Sequence, residues 1–179
     1  YDALNQKSLE KNVQNLAGAK IQEYLDKDQN VPLNIAVTGD CGSGKSSFVN
    51  AIRGIDNKDG KAARTGCVET FMEVTPYPHP NYPKVTIWDL PGIGNAGYSA
   101  ANYLKTDGFE KFDFFIIISA DRFKENDLKL AKEIQKMNKK FYFVRSKIDD
   151  NIRNEKRRQR NFNEERTLTQ IRNNCIKGR

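Results

Sequence analysis

Gly39-Asp40-Cys41-Gly42-Ser43-Gly44-Lys45-Ser46 is the stretch on which the fold turns. It has the spacing G-x-x-x-x-G-K-[ST]. On one side lies the short apolar run Ile35-Ala36-Val37-Thr38, and on the other the helical stretch Ser46 to Arg53, which Gly54 ends. Strand, glycine-rich loop and helix together predict a phosphate cradle. The glycines let backbone N–H groups turn inward, and the helix N-terminus favours negative charge. Lys45 is placed to reach β- and γ-phosphates, and the Ser46 hydroxyl to ligate Mg2+. The nucleotide-contacting run expected here is Gly39, Asp40, Cys41, Gly42, Ser43, Gly44, Lys45, Ser46 and Ser47.

Two further signals follow in order. Asp89-Leu90-Pro91-Gly92 comes straight after the apolar run Val85 to Trp88, so the Asp89 carboxylate emerges at the same strand-end edge as the loop. Asp89 is expected at the Mg2+ ion through a bound water, and the Gly92 N–H at the γ-phosphate, which makes the segment after it sensitive to hydrolysis. Ser146-Lys147-Ile148-Asp149 then follows the run Phe141 to Val144. A carboxylate at Asp149 can accept both the N1–H and the exocyclic amine of guanine, while the Lys147 stem covers the base. Adenine offers neither pair in that orientation, and a buried acceptor left unpaired discriminates by roughly 10⁴.

Outward from these motifs, Leu9, Val13, Leu16, Ala17, Ile21, Tyr24 and Leu25 recur at helical spacing, and Pro32 ends any helix there. Strands are expected at Val68 to Thr75, Val85 to Trp88, Phe114 to Ser119 and Phe141 to Val144. Thr75 to Pro83 has the turn chemistry that joins two antiparallel strands. Between the last two strands Leu128, Ala131, Ile134 and Met137 mark one helix face, and Arg166 to Cys175 reads as a final helix. The expected fold class is α/β, a mostly parallel sheet with one antiparallel strand, helices on both faces and a leading helix. Two units are expected: 1–33, an amphipathic helix and linker, and 34–179, the nucleotide-binding domain.

Composition narrows the chemistry. The chain of 179 residues has a single histidine, His79, in a proline-rich stretch, so no histidine-based triad or zinc site can be assembled. Cys41, Cys67 and Cys175 show no C-x-x-C spacing and cannot all pair with one another, which favours a reducing compartment such as the cytosol. The longest apolar run, Phe114 to Ile118, is far short of the roughly 20 residues of a spanning helix. Residues 151–179 hold 9 basic and 3 acidic side chains, so +6 of the formal +7 lies there. Arg153, Lys156, Arg157, Arg158 and Arg160 lack interleaved aromatics; they are expected in a solvated loop, and no nucleic-acid partner is expected.

The three ordered signals resemble a Ras-like P-loop GTPase, and finer wording narrows the match. Asn34-Ile35-Ala36-Val37-Thr38-Gly39, Trp88-Asp89-Leu90-Pro91-Gly92-Ile93-Gly94, Asp113 to Ala120 and Phe141-Tyr142-Phe143-Val144-Arg145 resemble the interferon-inducible immunity-related GTPases from about residue 9 onward. The resemblance implies GTP and GDP as ligands with Mg2+, GTP-dependent self-assembly, and related GTPases as partners. It also implies cell-autonomous immunity, with a cytoplasmic protein peripherally attached to membranes of pathogen-containing vacuoles. Lys45 places the chain with the effector subclass, since the regulatory subclass carries Met at that position. Family members are longer, so the chain is expected to be a fragment or a short member, without the last strand and helix of the domain.

Hydrolysis poses a problem that the residues themselves state. Ile93 follows Gly92, where many Ras-like enzymes place a glutamine that orients water, and an isoleucine cannot polarise water. Unassisted turnover of such a site falls near 10⁻⁴ to 10⁻³ s⁻¹, roughly. Glu69 matches by resemblance the acidic residue required for activation where two GTPase faces meet, and is expected to be catalytic together with Lys45. Thr65 is the expected further Mg2+ ligand, with Thr70 as a rival. The alternative to a GTPase is a nucleotide-dependent scaffold or regulator of other GTPases with negligible hydrolysis.

Overall fold

A computed structural model describes residues 19, 23, 31–65, 74–92, 108–122 and 124–177. The leading helix, the first part of the expected Val68 to Thr75 strand, Cys67, Glu69, Thr70 and Ile93 lie outside the described residues. Five strands form one sheet: β1 (Leu33–Gly39), β2 (Thr75–Pro78), β3 (Val85–Asp89), β4 (Phe114–Ser119) and β5 (Lys140–Arg145). Their order is β2-β3-β1-β4-β5, parallel throughout except that β2 runs antiparallel to β3. This is the mixed α/β sheet expected from the sequence.

Two helices cover opposite faces because successive strand residues point in opposite directions. Ile35 and Val37 of β1, with Phe114, Ile116 and Ile118 of β4, pack against Val49 of α1 (Lys45–Ile52). Ala36, Phe115 and Ile117 pack on the other face, against Leu130, Ala131 and Ile134 of α2 (Glu125–Lys136). Burial on both sides is what the nearly unbroken apolar runs of β1 and β4 require. Phe109, Phe112 and Phe115 stack edge-on and parallel beneath Trp88, whose indole N–H donates to the Asn34 side-chain oxygen at 3.0 Å.

Three expectations are corrected. Strand β2 lies within the proline-rich stretch that the sequence assigns to a turn. Pro76 and Pro78 have no N–H to donate, and none is needed there, because the donors facing β3 come from the alternate residues: His79, next in that alternation, donates its N–H to the Val85 carbonyl at 2.9 Å. Proline is tolerated on such an edge. The buried face of α2 is built by Leu130, Ala131 and Ile134, with Met137 half-buried at its end, whereas Leu128 is 41% exposed. The residues Asp127, Leu130, Ala131 and Ile134 have the three- and four-residue spacing of one stripe, from which Leu128 is turned away. Finally, most of the basic cluster is helical. It lies on α3 (Ile148–Arg158), which buries no residue, and leads through a turn at Arg160 into α4 (Glu164–Lys177).

Candidate functional site

The sheet order reverses at β1, whose neighbours β3 and β4 connect to opposite sides, and ligand crevices form at such points beyond the carboxyl ends of strands. That end of β1 opens into the glycine-rich loop. Gly39, at φ +143°, is pressed against β4: a Cβ there would sit 2.0 Å from the Ile118 carbonyl oxygen. No other residue fits.

The loop is then fixed from both sides. Lys45, at the first position of α1, is buried, and its ammonium donates to the Asp40 carbonyl at 3.0 Å, which bends the chain back over the helix start. A buried lysine needs such acceptors, and phosphate oxygens are of the same kind. The Asp40 carboxylate is held at 3.0 Å by Lys124, just ahead of α2. Hydrogen bonding to Asp40 raises the Lys124 pKa above the usual lysine value and keeps it charged.

On the β3 side, the Ser46 hydroxyl donates to Asp89 Oδ2 at 2.7 Å, so the first and second motifs meet directly. One hydroxyl beside one carboxylate, with no group of three or more His, Cys, Asp or Glu among the described residues, is too little to hold an ion alone. It matches the habit of Mg2+, which takes one or two protein oxygens and completes its shell with phosphate and water. Gly92, two residues beyond Leu90, is buried near the described end of this segment.

On the β4 and β5 side, the third motif is stitched to the first. The Ser146 hydroxyl donates to the Ser43 carbonyl at 2.6 Å, and the Ser146 N–H to the Ser119 carbonyl at 2.9 Å. Lys147 follows with φ +50°, a left-handed turn that is uncommon outside glycine and swings the chain into α3. Its side chain is exposed. Asp149 is half-buried in the first turn of α3, with Arg153 one turn on at 3.5 Å.

A cleft of about 340 Å³ opens between these parts. Its walls are Asp40 to Ser43 of the loop, Ala120, Asp121 and Lys124 beyond β4, and Lys147, Asp150, Asn151 and Asn154. Its size suits a small ligand. Ser46 and Asp89 are not among its walls and lie towards β3. The Ser43 hydroxyl, 2% exposed, has no hydrogen-bond partner in the described structure, an orphan that a phosphate oxygen or bound water would satisfy. The loop therefore fits an anionic phosphate chain.

The structure thus brings together Gly39 to Ser47, Asp89, Gly92, Ser146, Lys147 and Asp149 along one sheet edge. Thr65 is exposed at the end of the loop after α1, and no contact ties it to Ser46 or Asp89. Sequence spacing did not single out Lys124, Asp121, Asn151 or Asn154, which reach the cleft from elements far along the chain. The one available signal was a lysine immediately before a helix whose third residue, Asp127, accepts the Lys124 N–H at 3.0 Å. Burial pushes the Asp127 carboxyl above the usual range.

Comparison with known proteins gives the family. A family model described as Interferon-inducible GTPase (IIGP) matches residues 3–178. Interferon-inducible GTPase 1 of Mus musculus is 50% identical over 162 residues, covering 90% of this chain and 39% of its own. T-cell-specific guanine nucleotide triphosphate-binding protein 2 of the same organism is 49% identical over 168 residues, covering 93% and 40%. Among solved structures, the G domain of the T. maritima FeoB iron transporter shows 28% identity and a TM-score of 0.41, over 66% of this chain and 74% of that one. The chain spans about 40% of the length of the curated relatives it matches. By the family model that covers nearly all of it and by relatives at half identity, this chain belongs to the interferon-inducible GTPase family.

Proposed function

We propose that the chain is the guanine-nucleotide module of a Mg2+-dependent GTPase that assembles with itself, or with related GTPases, in the GTP state. The observation that carries this reading is the meeting of three separate motifs on one edge: Ser46 with Asp89 at 2.7 Å, and Ser146 with Ser43 at 2.6 Å. Phosphate, ion and base sites that touch one another before any ligand arrives are a preorganised nucleotide site.

In this reading Lys45 and the loop N–H groups neutralise the phosphates, Ser46 and Asp89 hold the ion's protein side, and Lys147 and Asp149 read guanine. Mg2+, when bound, supplies charge neutralisation at the β- and γ-oxygens. Ile93 leaves the attacking water unoriented, so Glu69 is assigned the missing role across a dimer of nucleotide faces. The biological setting proposed from the family is cell-autonomous immunity, the protein being cytoplasmic and peripherally bound to pathogen-containing vacuoles. Among the described residues no helix is long and apolar enough to cross a membrane.

Two measurements test this. GDP should bind far more tightly than ADP, and Asp149→Asn should erode the preference; equal affinity for the two nucleotides would remove guanine recognition. Phosphate release per molecule should rise across a hundredfold concentration series and lose that rise in Glu69→Ala while GTP affinity stays within a few fold. A flat wild-type series would favour a passive nucleotide-dependent scaffold.

A further inference from the structure

The phosphate loop runs from Asp40 to Ser43, and both ends of that stretch are held by side chains from outside it. The exit is held by Ser146, whose hydroxyl donates to the Ser43 carbonyl at 2.6 Å. The entry is held by Lys124, whose ammonium donates to Asp40 Oδ2 at 3.0 Å. The Ser43 N–H also donates to the Asp40 carbonyl at 3.2 Å, so the two ends are joined to each other. Between them Cys41 and Gly42 are exposed, with Gly42 at φ +70°. The shape of that tip depends on how its ends are held.

Lys124 can serve as a strut because its own backbone is fixed. Its N–H donates to Asp127 Oδ2 at 3.0 Å, and its carbonyl accepts the Leu128 N–H at 3.1 Å in the first turn of α2. Asp127 is 1% exposed, a buried carboxyl that the nucleotide site does not use, and a group at that depth is kept only with donors around it. The chain just before Lys124 is tied to β4, where the Ser119 hydroxyl donates to the Asp121 carbonyl at 3.1 Å. Strand β4 is buried along its whole length. Lys124 therefore stands on β4 and α2 and reaches across to the loop entry.

The charges around the ammonium decide what it does there. It lies 3.0 Å from the Asp40 carboxylate and 3.4 Å from that of Asp121, one cation between two anions, so this corner of the cleft carries no excess positive charge to offer a phosphate. We propose that Lys124 is a positioning residue for the phosphates: acting through the Asp40 carboxylate, it fixes the loop entry and neutralises that carboxylate, while Lys45 is left to touch the phosphates themselves. This rests on the nucleotide reading above. Without the ammonium the loop entry is released, and two carboxylates remain on the wall of a cleft that receives an anion. Lys124 is 45% and Asp40 21% exposed, so water screens the pair and its effect is graded.

The test is release of a fluorescent GDP from the whole chain, followed by stopped-flow in a double-mutant cycle. Lys124→Met removes the charge while keeping a long side chain, and should speed release about three- to fivefold, the effect of one screened ion pair. Lys124→Arg keeps the charge and should hold release close to the parent rate. In the Asp40→Asn background the same Lys124→Met change should alter release by less than about 1.5-fold, because the group through which Lys124 acts has lost its charge. Melting temperature should be nearly the same in Lys124→Met as in the parent, which separates a local clamp from general destabilisation. Equal acceleration in both backgrounds overturns the proposal and makes Lys124 a direct phosphate ligand. Unchanged release in Lys124→Met overturns it too, as does a Lys124→Arg protein that releases as fast as Lys124→Met. A parent that binds GDP and ADP equally loses the guanine reading alone, since the clamp acts at the phosphate end; a parent that holds neither nucleotide removes the phosphate site and this inference with it.

Discussion

Gly39→Ala puts the most stringent demand on the packing at the head of the phosphate loop. The added carbon would stand 2.0 Å from the Ile118 carbonyl oxygen and 3.0 Å from its carbon, all of it backbone that no rotamer can move aside. Even close carbon–oxygen contacts need about 3.3 Å, so β1 and β4 must part by more than about 1 Å where strands pair at about 4.8 Å. Holding a side chain at φ +143° adds strain of about 1–2 kcal/mol. Overpacking adds about 1–3 kcal/mol. The sum, about 2–5 kcal/mol, is a large share of the roughly 5–15 kcal/mol that holds a domain together. Urea titration with linear extrapolation should show it as a lower midpoint at unchanged slope, and thermal melting as a fall of about 4–20 °C. Gly42→Ala is the control: its φ is +70°, but a Cβ there meets nothing within 4 Å, so only strain is added. A Gly39→Ala protein that melts within a degree of the parent and keeps its GDP affinity would refute the packing argument; equal losses in both variants would assign the effect to backbone conformation alone.

Ser146→Ala removes the hydroxyl that donates to the Ser43 carbonyl, so stability should fall by about 1 kcal/mol. GDP release measured by stopped-flow should quicken, and Ser146→Thr, which retains the hydroxyl, should restore the slow rate. His79 is buried, accepts the Asn81 N–H on Nδ1 and so donates from Nε2 to the Ile52 carbonyl at 3.1 Å; burial lowers its pKa from 6.5. Because the folded pKa lies below the unfolded one, its stabilising contribution is complete above pH 6.5 and is lost as pH falls through the folded value. Melting temperature against pH should show that decline in the parent and a flatter profile in His79→Gln. Cys41 is exposed on the wall of the cleft, so GDP should slow its alkylation, measured by mass spectrometry, and equal rates with and without GDP would place the thiol away from the ligand.

What the sequence made legible follows from how far apart the deciding contacts lie. Four strands, β1, β3, β4 and β5, were visible as apolar runs, most plainly β1 and β4, which are buried on both faces with almost no polar interruption. The three motifs were visible because each is a short spacing at a strand end. The edge strand β2 was misplaced because its prolines signal turns unless it is known that the Pro76 and Pro78 backbone nitrogens point away from β3. The basic cluster on α3 was taken for a loop because no residue of that helix is buried, so no strong apolar stripe marks it; Arg153 pairs with Asp149 and Asp150, and Arg158 with Glu155, all at its surface. Lys124 was missed for a different reason. Its partner, Asp40, is chosen by folding, and a charge does not announce its partner locally.

The weak packing of α3 has a consequence for how base and phosphates are read together. A helix with no buried residue is not held in place by a core of its own, so the loop before it depends on polar contacts. Those contacts are Ser146 to Ser43 and Ser119, and Arg145 to the Asn151 side chain. The phosphate loop, the segment that follows β4 and α3 itself all line the cleft. Ordering the phosphate loop around an anion therefore also fixes Ser43, and through Ser146 the segment proposed to read guanine. In the reverse direction, a base held by Lys147 and Asp149 steadies the loop that cradles phosphate. Base and phosphate recognition are then linked through one hydroxyl–carbonyl bond of 2.6 Å rather than through a shared hydrophobic core. Guanosine without phosphates should accordingly bind far more weakly than the sum of separate base and phosphate contacts implies, and Ser146→Ala should narrow that gap by weakening GDP while leaving guanosine nearly unchanged.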